Sequence, residues 1–201
     1  SSLLSDAYLE VRDCTFSNNL GQPGPFDASA LWVKHMTSFF ELRIVMANVI
    51  FQNNGFSSST GATGGAMTIA CNNCSIEIGD CLFDNNEGEL GTAWSFEGVL
   101  TDWYMHNTSF QSNQQAALSI ILEGPGNWNW TDVDFGDNGA ALHLMTKGDL
   151  VWDWNGGSVN TSSAVKDNFL ILHQQGNLEW KMTSVTFDDN QQSLMVQVTS
   201  A

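Results

Sequence analysis

Apolar residues in this chain alternate with polar ones in short runs, and the alternation breaks and changes parity at regular intervals. The stretch from Ile76 to Phe96, IEIGDCLFDNNEGELGTAWSF, carries the pattern most fully. Ile76 and Ile78 alternate with polar neighbours, Asp80 interrupts, and Cys81 and Phe83 resume on the opposite parity. A polar turn and a loop follow, and then Ala93, Trp94 and Phe96 open a third apolar run. Strand side chains point alternately to opposite faces, so each run predicts a strand. A straight strand cannot switch parity, so the chain must bend at Asp80.

The same unit recurs along the chain. A Phe followed three residues later by Asn occurs at Phe16, Phe51, Phe83, Phe110, Phe135 and Phe187, and Val159 with Ser162 forms a degenerate copy. The spacings are 35, 32, 27, 25, 24 and 28 residues. Seven positions before each anchor stand Leu9, Ile44, Ile76, Trp103, Trp128, Trp152 and Trp180; five before stand Val11, Met46, Ile78, Met105, Trp130, Trp154 and Met182. Three before lies the bend column, Asp13, Asn48, Asp80, Asn107 and Asp132, followed by Gly156 and Ser184. Asp, Asn and Gly tolerate the left-handed backbone that other residues resist. Short strands meeting at such corners, repeated at this period, predict an all-β solenoid of about seven coils in one domain spanning residues 1–201.

The third strand predicts two inward columns, Leu31, Met67, Trp94, Leu118, Leu142, Leu194 and Val33, Ile69, Phe96, Ile120, Leu144, Val196. Between them Trp32, Thr68, Ser95, Ser119, His143 and Met195 point outward, flanked by Ala30, Ala66, Ala93, Ala117 and Ala141. This reads as a flat face of small residues, either solvated or covered by a neighbouring subunit or ligand. Trp32 is its candidate surface contact. From the Asn of each turn to the following Ala the chain runs 11, 12, 7, 4 and 3 residues in the first five units, so decorating loops shorten along the solenoid. The sixth copy carries an insertion, with its third strand expected at Phe169–Leu172.

Charge narrows the function classes. Asp and Glu total 22 against 6 Lys and Arg, a formal net charge of −16, which opposes nucleic acid and anionic membranes and favours association with cations such as calcium. No uninterrupted run of 18 apolar residues predicts membrane insertion. The chain begins SSLL without Met and offers no polar cap at either end, so a segment of a longer solenoid is expected.

FSNN, FQNN and FDNN, with GGAM at Gly64–Met67 and the looser GTAW and GAAL, resemble the FxxN and GGA[ILV] repeats of the polymorphic outer membrane proteins. That resemblance implies a right-handed parallel β-helix of the pectin-lyase-like kind, in an extracellular or cell-surface setting, acting as an adhesin. Pectin-lyase-like folds also host polysaccharide lyases, hydrolases and epimerases, which would place acid pairs and a basic residue on the outward third-strand face. Here that face bears Thr, Ser, Ala and one His. Asp132, Asp134 and Asp137 cluster instead at a corner and a turn, with Asp188 and Asp189 at the matching turn later on, and read as turn acids. His35, His106, His143 and His173 fall in unrelated columns, so neither a metal cluster nor a triad assembles.

Cys14 and Cys81 share an inward column and read as buried small hydrophobes; two rungs of ~4.8 Å separate them, beyond disulfide reach. Cys71 and Cys74, in CNNC, predict a local disulfide pinning a turn in an oxidising compartment. Four sequons occur, at Asn73, Asn107, Asn129 and Asn160. Asn129, Asn160 and Asn73 are the candidate glycosylation sites, whereas Asn107 belongs to the corner ladder. The Trp columns have inward parity and predict core stacks rather than a sugar platform. The sequence thus leads to a non-catalytic structural or adhesive element, without cofactor or catalytic residue, whose partners are neighbouring subunits or further coils, with glycans and calcium as further candidates. Its rival is a carbohydrate-active enzyme or binding module.

Overall fold

The computed structural model describes residues 6–21, 30–36, 40–56, 65–88, 93–160, 169–188 and 195–198. Residues 22–29, 57–64 and 161–168, and Asp189, Asn190 and Leu194, lie outside the described residues. Those described contain strands and turns and no helix. Every strand pairing is parallel. The chain is a parallel stacked β-solenoid.

Register follows the sequence columns. Leu9, Ile44, Ile76, Trp103, Trp128, Trp152 and Trp180 are successive partners across the rungs. Phe16, Phe51, Phe83 and Phe110 form a second line that continues through Phe135, Val159 and Phe187. The third strands pair Trp32 with Thr68, Ser95, Ser119, His143, Leu170 and Met195 in turn. Like residues stacked at the rung repeat bring rings into contact: Phe16–Phe51, Phe51–Phe83, Phe83–Phe110 and Phe110–Phe135 stack at 4.9, 4.9, 4.8 and 5.0 Å between centroids, within 8° of parallel. The Trp columns are buried in the same core.

The corners explain how the chain turns without losing its ladder. Asp13, Asn48, Asp80, Asn107 and Asp132 have φ of 51, 55, 54, 43 and 51°, Gly156 has 76° and Ser184 57°. At Gly156 a Cβ would meet the Asp132 carboxylate oxygen at 2.2 Å, so a side chain there is excluded by its neighbour as well as by φ. Along this column amides donate to acids: Asn48 Nδ2 to Asp13 Oδ1 at 2.7 Å and Asn107 Nδ2 to Asp80 Oδ1 at 2.5 Å. Alternating Asn with Asp gives Asp13 and Asp80 a donor instead of another carboxylate. A second left-handed column, one residue before the Asn of FxxN, comprises Asn18, Asn53, Asn85, Ser112 and Asp137 among the described residues.

Between these turns runs a ladder of buried asparagines. Asn54 Nδ2 donates to Asn86 Oδ1 at 3.1 Å and to Phe16 O at 2.9 Å, while Asn86 Oδ1 also accepts the Asn54 backbone N–H at 3.0 Å. The arrangement repeats from Asn86 to Asn113 and from Asn113 to Asn138, with Asn86, Asn113 and Asn138 donating to the carbonyls of Phe51, Phe83 and Phe110. Each amide is thereby satisfied at both ends in a site without access to water.

Two expectations need correction. The Ala column does not flank an outward face, since Ala66, Ala93, Ala117 and Ala141 are fully buried members of the core. Cys14 stands in the inward column yet is exposed, because its rung has a described neighbour on one side only, and its thiol donates to Arg12 O at 2.9 Å.

Two substitutions test this core. Phe83→Ala should cost about 3–5 kcal/mol, because the rings of Phe51 and Phe110 cannot close the gap between them. Asn86→Leu keeps the volume but strands the Asn54 N–H and the Phe51 carbonyl, and at ~1–3 kcal/mol for each group left unpaired should cost about as much. Chemical denaturation of the two variants measures both, and an unchanged midpoint in either contradicts its column.

Candidate functional site

The outward third-strand row is not flat. Trp32, Thr68, Ser95 and Ser119 form one wall of a groove of about 300 Å³ that runs across the rungs. A second row, Lys34, Ala70, Glu97 and Ile121, lies two residues further along the same strands. The far wall comes from Met36, Asn72, Val99 and Glu123, where the chain leaves the third strand for the next coil. That departure is a bend within continuous strands: Met67–Gly79 and Trp94–Gln111 pass through it unbroken. The CNNC segment is therefore strand, not the isolated turn its composition suggested. Asn72 Nδ2 donates to Met36 O at 2.9 Å and joins the wall across a rung.

Trp32 is 49% exposed, and the Lys34 ammonium lies 6.0 Å from its ring centroid, within reach of the negative ring face. Glu123 is held by Lys147 at 3.1 Å. Thr68 borders the groove but is only 6% exposed, and its hydroxyl is buried without a hydrogen-bond partner. The groove is thus amphipathic: one flat aromatic, a few exposed apolar side chains, a row of hydroxyls, and charges of both signs.

The other candidate residues are dispersed. Cys71 and Cys74 do not form the expected disulfide; both are buried thiols. A hydrogen bond with the Cys74 side chain lowers the Cys71 pKa, outweighing burial, which raises it. Both cysteines belong to the buried core within one continuous strand, where their thiols meet as hydrogen-bond partners. Asn129 is exposed, whereas Asn73 and Asn160 are half-buried; the Asn160 carbonyl accepts from the Asp137 N–H at 2.8 Å. Asp132 and Asp137 hold left-handed turns at two different corners, and Asp134 accepts from Ser158 Oγ at 2.7 Å. Among the described residues no three His, Cys, Asp or Glu side chains are placed to hold a metal ion. His173 is buried, with Nε2 2.9 Å from Gly176 O.

Sequence reasoning found Trp32 and the hydroxyl row but missed the far wall. Its members lie beyond the third strand, where the register rather than the local sequence lines up the rows. No protein-family model, curated protein or solved structure matches the chain.

Burial pushes the Cys81 thiol up to about 11 from an ordinary 9.0. Between these values the unfolded chain has released a proton that the folded chain keeps, so stability falls as pH rises from about 9 to 11. Cys81→Ala should flatten that part of the stability–pH curve relative to the parent, by on the order of 2 kcal/mol at its upper end. Denaturation curves of the two chains at matched pH provide the comparison.

Proposed function

We propose that this chain is a non-catalytic structural or adhesive β-helix, right-handed and of about seven coils, belonging to an extracellular or cell-surface protein with polymorphic outer membrane protein-type repeats. The observation that carries this reading is the use made of its polar residues. The conspicuous amides and acids serve the coils themselves: Asn54, Asn86, Asn113 and Asn138 join successive rungs, and Asp13 and Asp80 receive corner amides. Asp132 and Asp137 occupy left-handed turns and Asp134 is bonded to Ser158, so each of these three acids has a place in the turns and bonds of the coils. A rod stiffened in this way presents surfaces at fixed spacing, which suits attachment and assembly with neighbouring subunits or further coils. With −16 formal charge, like surfaces repel, and millimolar calcium should strengthen their association.

The test is incubation of the purified chain with pectate, alginate and related uronans, with and without calcium, followed by assay for unsaturated or newly reducing ends. No product is expected. Products that disappear when Asp132, Asp134 and Asp137 are replaced by Ala would overturn the reading in favour of a carbohydrate-active enzyme.

A further inference from the structure

Two faces of the stack are only half covered, and they complement each other. Among the described residues, Ala7–Ser17 and Leu31–His35 at one end pair with a strand on one side only. The same holds for Leu178–Thr183, Thr186–Asp188 and Met195–Val198 at the other end. Unpaired strand edges recruit further strands. The core columns are incomplete at the same places. Ile44 and Phe51, with a rung on either side, are fully buried, whereas Leu9 and Phe16 in those columns are partly exposed. So are Trp180 and Phe187 at the opposite end, where Val196 is 42% exposed.

What fits one end is dictated by the other. Every pairing along the chain is parallel and keeps the columns in line, so the same register can continue from one copy into a second. In that register Trp180 of one copy lies over Leu9 of the next, Phe187 over Phe16, and Val196 over Val33. The bends agree: Ser184 and Asp13 are both left-handed, with φ of 57 and 51°, and the Ser184 hydroxyl gives Asp13 a second donor beside Asn48. The charges agree as well. Lys181 and Glu10 each stand six residues before their Phe, at the two ends of a row that holds no other cation. Both are exposed; Arg12 Nε donates to Glu10 Oε1, and a carboxylate has sites for a further donor. Two like ends could stack only with their strands antiparallel. That sets a left-handed corner against straight strand, or an inward column against an outward one.

We infer that the two ends of this chain bind each other in trans, a second copy docking head to tail with strands in parallel register and Lys181 of one copy paired to Glu10 of the next. This rests on the structural and adhesive reading and names the neighbouring subunit as another copy. A head-to-tail junction leaves one face free on each side, so copies add in an open series and do not stop at a dimer. The −16 charge of each copy opposes the contact, and salt screens that repulsion over ~8 Å at physiological strength, so association strengthens as salt is raised.

The experiment is sedimentation velocity of the purified chain over a wide range of concentration, at low and at moderate salt. A series of sizes that lengthens with concentration, and further with salt, is expected. Lys181→Glu and Glu10→Lys should each weaken association about fivefold, and the two together should restore it to within about twofold of the parent. Glu10→Lys is the sharper of the pair: it makes the chain less negative, so general repulsion falls, yet association should still weaken. Both positions are exposed, so the unfolding midpoint of each variant, measured where it is monomeric, should match the parent and separate the junction from the fold. A monomer at every concentration would overturn the inference and leave the non-catalytic rod standing. So would growth that stops at a dimer, growth indifferent to both reversals, or a double variant no better than the single ones. Cleavage of uronans by a chain that assembles as described would uphold the junction and sink the non-catalytic reading.

Discussion

The buried asparagine ladder is the interaction on which this architecture depends. A side-chain amide has two donors and a carbonyl oxygen with two lone pairs, and in the solenoid interior each of these is matched to the next rung or to a Phe carbonyl. Serine has too few groups and aspartate the wrong ones. Because the bonds run between coils, they fix the distance from one turn to the next and the angle at which each Phe enters the core. The ring stacks, the left-handed corners and the register of the third strand all depend on that fixed turn.

The interior is less well satisfied elsewhere. The indole N–H groups of Trp94, Trp103, Trp128, Trp130, Trp152, Trp154 and Trp180 are buried without an oxygen acceptor. Edge-on ring contacts surround several of them, among them Trp103–Trp128 at 5.4 Å and Trp130–Trp152 at 4.6 Å between centroids. A ring face is a weak acceptor, so these contacts offset only part of the desolvation. The wide core evidently needs the bulk of Trp more than it is harmed by the unpaired nitrogen.

Much of this fold is legible in the sequence because a stacked repeat writes each structural position many times. The parity switch at Asp80 is informative only because Asp13, Asn48 and Asn107 occupy the equivalent site, and residue chemistry then points to a left-handed corner. The bend at Asn85 was less visible, since an Asn pair in a polar turn does not say which member takes positive φ; here it is the first, and the second is drawn into the ladder. The Ala column was misplaced for a related reason. Parity assigns faces only within a strand, and these residues sit at its mouth, where the chain arrives from a loop. Of the groove, the sequence contained Trp32 and the hydroxyl row. The wall formed by Met36, Val99 and Glu123 depends on how sharply the next coil turns, and no local residue type records that angle.

The uneven distribution of tryptophan has an optical consequence. Seven of the 8 tryptophans lie between Trp94 and Trp180, and Trp32 stands apart on the surface of an early coil whose core holds phenylalanine but no tryptophan. Indoles packed edge to face at these separations couple their electronic transitions, so near-ultraviolet dichroism and most of the intrinsic emission originate in the later coils. Loosening of the early coils would leave those signals nearly unchanged. A melt followed by tryptophan light would therefore report on one end of the rod and overlook the other, and an apparently single transition would describe only the part that is illuminated.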